Sequence, residues 1–121
     1  MSHTDFRPVV YLKDRCPWSL KFRLFLLESG LRDNFEFREF APGDDRETAI
    51  REELGQHFER PTFPTVQVAP GVYMRESDDL IAHYAAANGV SLTDLPTLDQ
   101  YVRGPLVTIA ELRAEIAQLK N

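Results

Sequence analysis

The 121-residue chain contains a single cysteine, Cys16. An internal disulfide is excluded, and any thiol chemistry has to run without a resolving partner in the same chain. That cysteine usage fits a reducing compartment, so a cytoplasmic location is expected. Long apolar runs are also missing. None approaches the roughly 20 residues needed to cross a bilayer, and Met1 to Arg7 lacks the apolar centre of a secretion signal. No membrane association is expected. Nor is there an excess of positive charge: 14 Lys and Arg stand against 19 Asp and Glu, for a net charge of −5. This balance argues against nucleic acid as a partner. His3, His57 and His83 have no metal-ligand spacing with Cys16, so no metal site is expected. Internal repeats and low-complexity tracts are absent. What remains is 43% apolar, 11% aromatic and 27% charged with both signs mixed. That is the composition of one globular domain with one core.

The pattern along the chain alternates strands and helices. Pro8 to Leu12 ("PVVYL") reads as a buried strand. A helix follows Cys16 directly, with Pro17 suited to its first position. Its expected buried stripe is Leu20, Leu24 and Leu27, widened by Phe22, Phe25 and Leu26. Gly30 and Leu31 are placed to close it in a Schellman turn. Asn34 to Phe40 begins as a strand. A second helix is expected from about Asp45 to Phe58 on Ile50, Leu54 and Phe58, although Gly55 weakens it. "TVQVA" and "VYMR" flank Pro70-Gly71 and predict a hairpin. A third helix starts at Ser77, read as its N-cap with Asp78 and Asp79 in the first turn, and stops at Gly89. The order β-α-β-α-β-β-α implies two parallel strands joined by a right-handed crossover, then an antiparallel hairpin. Beyond a linker at Val90 to Thr97, Gly104-Pro105 interrupts a helical stretch. Ile109, Leu112, Ile116 and Leu119 then form a short apolar seam. Such a seam is expected to bury itself on its own domain or in a homodimer.

Cys16 lies where a helix begins. Unsatisfied backbone N–H groups and the positive end of the helix dipole favour a thiolate there, and Arg15 and Lys13 add cationic charge. A free cysteine is equally at home as a small apolar core residue. Its position alone leaves both readings open.

The surrounding residues carry a resemblance. A strand followed by Cys-Pro-aromatic-x at a helix start ("KDRCPWS") resembles the active-site arrangement of glutaredoxins and of the glutaredoxin-like N-terminal domains of glutathione S-transferases. "TFPT" (Thr62 to Thr65) is similar to their cis-proline segment. "ESDD" (Glu76 to Asp79) is similar to their Glu-Ser or aspartate-ended γ-glutamyl site. The similarity runs from Pro8 to Gly89. It implies a thioredoxin-like α/β fold, a four-stranded mixed sheet flanked by helices with an extra C-terminal helix. Residues 1–89 would form the domain and 90–121 a linker and helical extension.

It also implies a site. Cys16 would be the nucleophile, with Pro17 and Trp18 at its lip, although Trp18 reads equally as a residue packed on its helix neighbours. Lys13 would meet the glycyl carboxylate of glutathione. The backbone of Phe63, before a cis Pro64, would pair with its peptide part. Ser77 with Glu76, Asp78 or Asp79 would hold the γ-glutamyl end. Glutathione would be the co-substrate, and glutathionylated proteins or small disulfides the partners.

Ser19 stands where dithiol glutaredoxins have a second cysteine, so the function implied is a monothiol oxidoreductase that removes glutathione from mixed disulfides. A transferase-like activity is the alternative. Only about 30 residues follow Gly89 here, whereas transferases continue into a helical domain that holds most of the second-substrate pocket; a dimer partner would have to supply one. A non-catalytic interaction module on the same fold is a further alternative. An iron–sulfur cluster is not expected, because Pro17-Trp18 departs from the Cys-Gly-Phe-Ser motif of cluster carriers.

Overall fold

The strand that organises the molecule is VVYLK, β1 (Val9–Lys13), whose first four residues are all buried. Alternation along a strand sends successive side chains to opposite faces. Val10 and Leu12 accordingly join one apolar cluster, and Val9 and Tyr11 another. A strand buried on both faces belongs at the centre of a sheet with helices on each side. The computed structural model describes residues 6–120 and shows that arrangement. β1, β2 (Glu36–Phe40), β3 (Thr65–Ala69) and β4 (Val72–Arg75) form a sheet in the order β2-β1-β3-β4. β1 and β2 are parallel, and the other two pairings are antiparallel. The fold expectation is met. His3 and most of the segment read for a secretion signal lie outside the described residues.

α1 (Pro17–Glu28) and α3 (Ser77–Asn88) cover one face, and α2 (Asp45–Gly55) the other. α1 ends in the expected Schellman turn. Leu31 N–H donates to Leu26 O at 3.0 Å and Gly30 N–H to Leu27 O at 3.2 Å, with Gly30 at φ +78°, where a side chain would be strained.

Its buried face is only part of the expected one. Phe22, Phe25 and Leu26 enter the core, while Leu20 and Leu27 are 43% and 60% exposed. α1 is apolar nearly all round, so periodicity could not choose a face; the two phenylalanines bury more area than the leucines and win. α2 stops at Gly55, short of Phe58, whose ring lies under the Arg75 guanidinium at 4.3 Å. Tyr11 and Tyr73 both donate hydrogen bonds to Glu53 Oε2 and tie the sheet to α2.

α4 (Pro96–Arg103) packs back on α1. Leu95 and Leu98 join the main core, and the Glu28 carboxylate accepts the Thr97 and Leu98 N–H groups at 2.9 and 2.8 Å. α5 (Pro105–Leu119) begins after the predicted break at Gly104. Its seam does not bury itself on the domain: Leu112, Ile116 and Leu119 remain at least half exposed. Among the described residues no helix is long and apolar enough to cross a membrane.

Candidate active site

Cys16 occupies the N-cap of α1 in extended backbone (φ −106°, ψ 119°), and its sulfur accepts the Ser19 N–H at 3.5 Å. A cap acceptor satisfies one of the orphan donors of the first turn. Here the acceptor is the sulfur itself, half-buried and 3.8 Å from the Phe63 carbonyl oxygen. Arg15, just before it, has φ +62°, an uncommon backbone conformation for a side-chain-bearing residue. The Phe63–Pro64 bond is cis, as the sequence implied. Ser19 is buried and accepts the Lys13 N–H through Oγ at 3.1 Å, which ties the end of β1 to α1.

Two grooves lie here: Cys16 lines one, and Phe63, but not Cys16, lines the other. The latter, of about 240 Å³, is lined by Trp18, Thr62, Phe63, Pro64, Glu76 and Ser77. The helix at its far end, α3, starts differently from α1. Glu76 is its N-cap at φ +80° and makes no capping bond, while Ser77 is the first helical residue and is buried. The expectation that Ser77 caps the helix is corrected: the left-handed turn at Glu76 shifts the helix start by one residue. The first bond of α3 runs from Leu80 N–H to Glu76 O at 2.9 Å.

The other groove, of about 390 Å³, has Cys16, Pro17 and Lys13 in its wall, with Arg15, Arg23, Leu20, Tyr101 and Ile109. Its cations are offset by neighbouring acids: Arg23 pairs with Glu39, Lys13 acts on Glu47, and Asp14 lies in the lining.

The site residues expected from the sequence therefore fall into three places. Trp18, Phe63, Pro64, Glu76 and Ser77 come together in the smaller groove. Lys13 and Pro17 line the larger one with Cys16. Asp78 lines neither; its carboxylate is paired with Lys21 in a separate depression between α1, α3 and α4. Trp18 lines the smaller groove and also lies under the Arg113 guanidinium of α5 at 5.2 Å.

The family model of the glutathione S-transferase N-terminal domain matches residues 10–90. The chain belongs to that family. No curated protein matches its sequence. Among solved structures, the crystal structure of glutathione transferase Omega 3C from Trametes versicolor is similar, with a TM-score of 0.57 and 21% identity over 83% of this chain. The match covers 43% of that transferase chain, so this chain spans less than half of its length. At that identity the likeness speaks for the fold, a thioredoxin-like α/β domain.

Two contributors to this transferase-family domain's site were missed in the sequence, and both come from the C-terminal helices. Tyr101 of α4 donates its hydroxyl to the Pro17 carbonyl at 2.8 Å, across 84 positions of sequence. Burial, reinforced by the neighbouring Cys16 sulfur, pushes its hydroxyl above the usual tyrosine range, so it stays a donor at neutral pH. Ile109 of α5 supplies apolar wall to the larger groove. No local motif marks Tyr101; Ile109 was legible only as part of the apolar seam after the Gly104-Pro105 break, not as groove wall.

Proposed function

We propose that this domain binds glutathione and exchanges it with mixed disulfides through Cys16 by a monothiol route. One observation carries the reading: the only thiol caps a helix start, lines one groove and lies 3.8 Å from the carbonyl of Phe63, which lines the other. Glutathione would lie along the smaller groove. Its cysteinyl backbone would pair with the main chain of Phe63, and its γ-glutamyl carboxylate would meet Ser77 and the uncapped N–H groups of α3. Glu76 would take the ammonium, and Lys13, beyond Cys16, the glycyl carboxylate.

In the reaction the Cys16 thiolate attacks the glutathionyl sulfur of a mixed disulfide. The S–S bond breaks, and the other half leaves as a thiolate that takes a proton from water. A second glutathione thiolate then attacks the Cys16–glutathione disulfide, which releases oxidised glutathione and restores Cys16. Ser19 takes no part; its hydroxyl accepts the Lys13 N–H, and oxygen cannot resolve a disulfide. Cytoplasmic glutathione would supply the reductant.

Incubation with oxidised glutathione should place one glutathionyl group on the chain, at Cys16, and added glutathione should remove it. No adduct under conditions that modify a free thiol would overturn the reading.

A transferase activity is the second reading. It is supported by the larger groove, where Leu20, Tyr101 and Ile109 offer apolar wall beside the thiol. Conjugation of a hydrophobic electrophile to glutathione, lost on Ile109→Lys, would favour it. The exposed stripe of Leu112, Ile116 and Leu119 supports pairing with a second copy through α5, which sedimentation at micromolar concentration would detect.

A further inference from the structure

We propose that the Lys21–Asp78 ion pair is a clamp that sets the width of the glutathione groove, so that Asp78 acts on glutathione binding without touching the ligand; this rests on the glutathione reading above. The smaller groove is walled by two helix starts that are far apart in sequence. Trp18, in the first turn of α1, lies on one side, and Glu76 and Ser77, at the start of α3, on the other. A ligand reaching from Cys16 to Ser77 binds only while those two starts keep their separation.

Lys21 stands five residues after Cys16, about 7.5 Å along the axis at the α-helical rise. Asp78 immediately follows Ser77. Their side chains are ion-paired, so the contact joins the two walls just behind the groove. Asp78 itself lines the depression behind, together with Ile81, Leu98 and Val102.

The pair is not an ordinary surface contact. Lys21 is 8% exposed at its side chain, whereas Asp78 is 86% exposed. An exposed pair would contribute little. With its stem covered, Lys21 has few places to carry its ammonium, and it keeps its place best with a carboxylate there. Asp99 of α4 borders the same depression, but Arg103 holds it at 2.9 Å. The burial of Lys21 thus pins α3 through Asp78, and the position of Ser77 follows.

The test separates a clamp from a ligand contact and from plain stability. Asp78→Asn, Lys21→Met and the double variant are titrated with glutathione through the fluorescence of Trp18, the sole tryptophan. Each single change should weaken binding about tenfold, and the double variant should be no weaker than either single, because members of one pair are not additive. Asp78→Glu should restore most of the affinity. Iodoacetamide labelling of Cys16 should keep its wild-type rate, since that reagent does not span the groove. Hydrogen exchange should quicken at the Leu80 to Tyr84 amides in all the clamp-breaking variants.

Weakened binding in Asp78→Asn but not in Lys21→Met would make Asp78 a direct ligand and sink the clamp. Unchanged binding and exchange in both would do the same. If the wild type binds no glutathione, the functional reading fails; the exchange arm then decides the clamp by itself, with unaltered exchange overturning it. Asp78→Asn alters an exposed side chain and should fold even if Lys21→Met does not.

Discussion

α1 and α3 aim their N-termini at the same place and are finished in opposite ways. Both follow a side-chain-bearing residue at positive φ, Arg15 at +62° and Glu76 at +80°. In α1 the residue after the unusual turn is Cys16, whose sulfur accepts the Ser19 N–H and closes the cap. In α3 the unusual residue is itself the cap position, and its side chain makes no capping bond. The same positive helix end therefore meets sulfur in one case and no capping side chain in the other. Two other helices show the ordinary solution, while α5 follows Gly104 with no side-chain cap. α2 is capped by Asp44, and α4 by Glu28 reaching over from α1. On the proposed reading, the uncapped start of α3 is where the γ-glutamyl carboxylate would bind. Backbone strain retained at both turns fits a functional position.

Cys16 offers the largest test of this contrast. Cys16→Ser should abolish exchange with glutathione and keep the α1 cap, because serine is a good N-cap. Cys16→Ala should abolish exchange as well and cost about 1 kcal/mol of unfolding free energy. Equal stability of the two variants in urea would show that the sulfur contributes no cap.

The two strained turns can then be compared directly. Glycine relieves a left-handed backbone costing about 1–2 kcal/mol and adds about 0.5–1 kcal/mol of chain entropy loss, so either replacement should stabilise by roughly 0.5–1 kcal/mol. Glu76→Gly should also lose about tenfold in glutathione affinity through a missing charge-assisted hydrogen bond, while Arg15→Gly should keep its affinity. Equal affinities would remove Glu76 from the site.

Ser77→Ala is a smaller change. Ser77 is not the cap, so stability should move by less than about 0.5 kcal/mol. Affinity should fall about fivefold, the equivalent of one neutral hydrogen bond.

The smallest effect is in the cap from outside the site. Burial alone would raise the Glu28 carboxyl, but the Thr97 and Leu98 N–H groups outweigh it and hold it below the usual range. A carboxyl depressed in the folded state stabilises above its unfolded value and loses that contribution as pH falls through the folded one. Unfolding in urea should thus become easier from about pH 4.3 downward, and Glu28→Gln should flatten that part of the profile.

Much of the molecule was legible because it is decided within a few residues. The order of strands and helices, the Gly30-Leu31 stop, the Pro70-Gly71 hairpin and the break at Gly104 each follow from local backbone chemistry. Cys16 at a helix start, and a proline after Phe63, were readable in the same way. Four features needed the folded chain. α1 carries apolar residues on every side, and only packing against the sheet chose Phe22, Phe25 and Leu26 over Leu20 and Leu27. Ser77 looked like a cap until the turn at Glu76 moved the helix start. Asp78 gave no sign in the sequence of its partner Lys21, 57 positions away. Tyr101 carried no signal at all before α4 laid it on Pro17. By itself the sequence determined the elements, their order and the placing of Cys16 at a helix start, because propensities, caps and turns act between near neighbours. The tertiary structure alone decided which faces are buried and which residues share a groove, because those contacts join residues tens of positions apart and depend on how every layer packs at once.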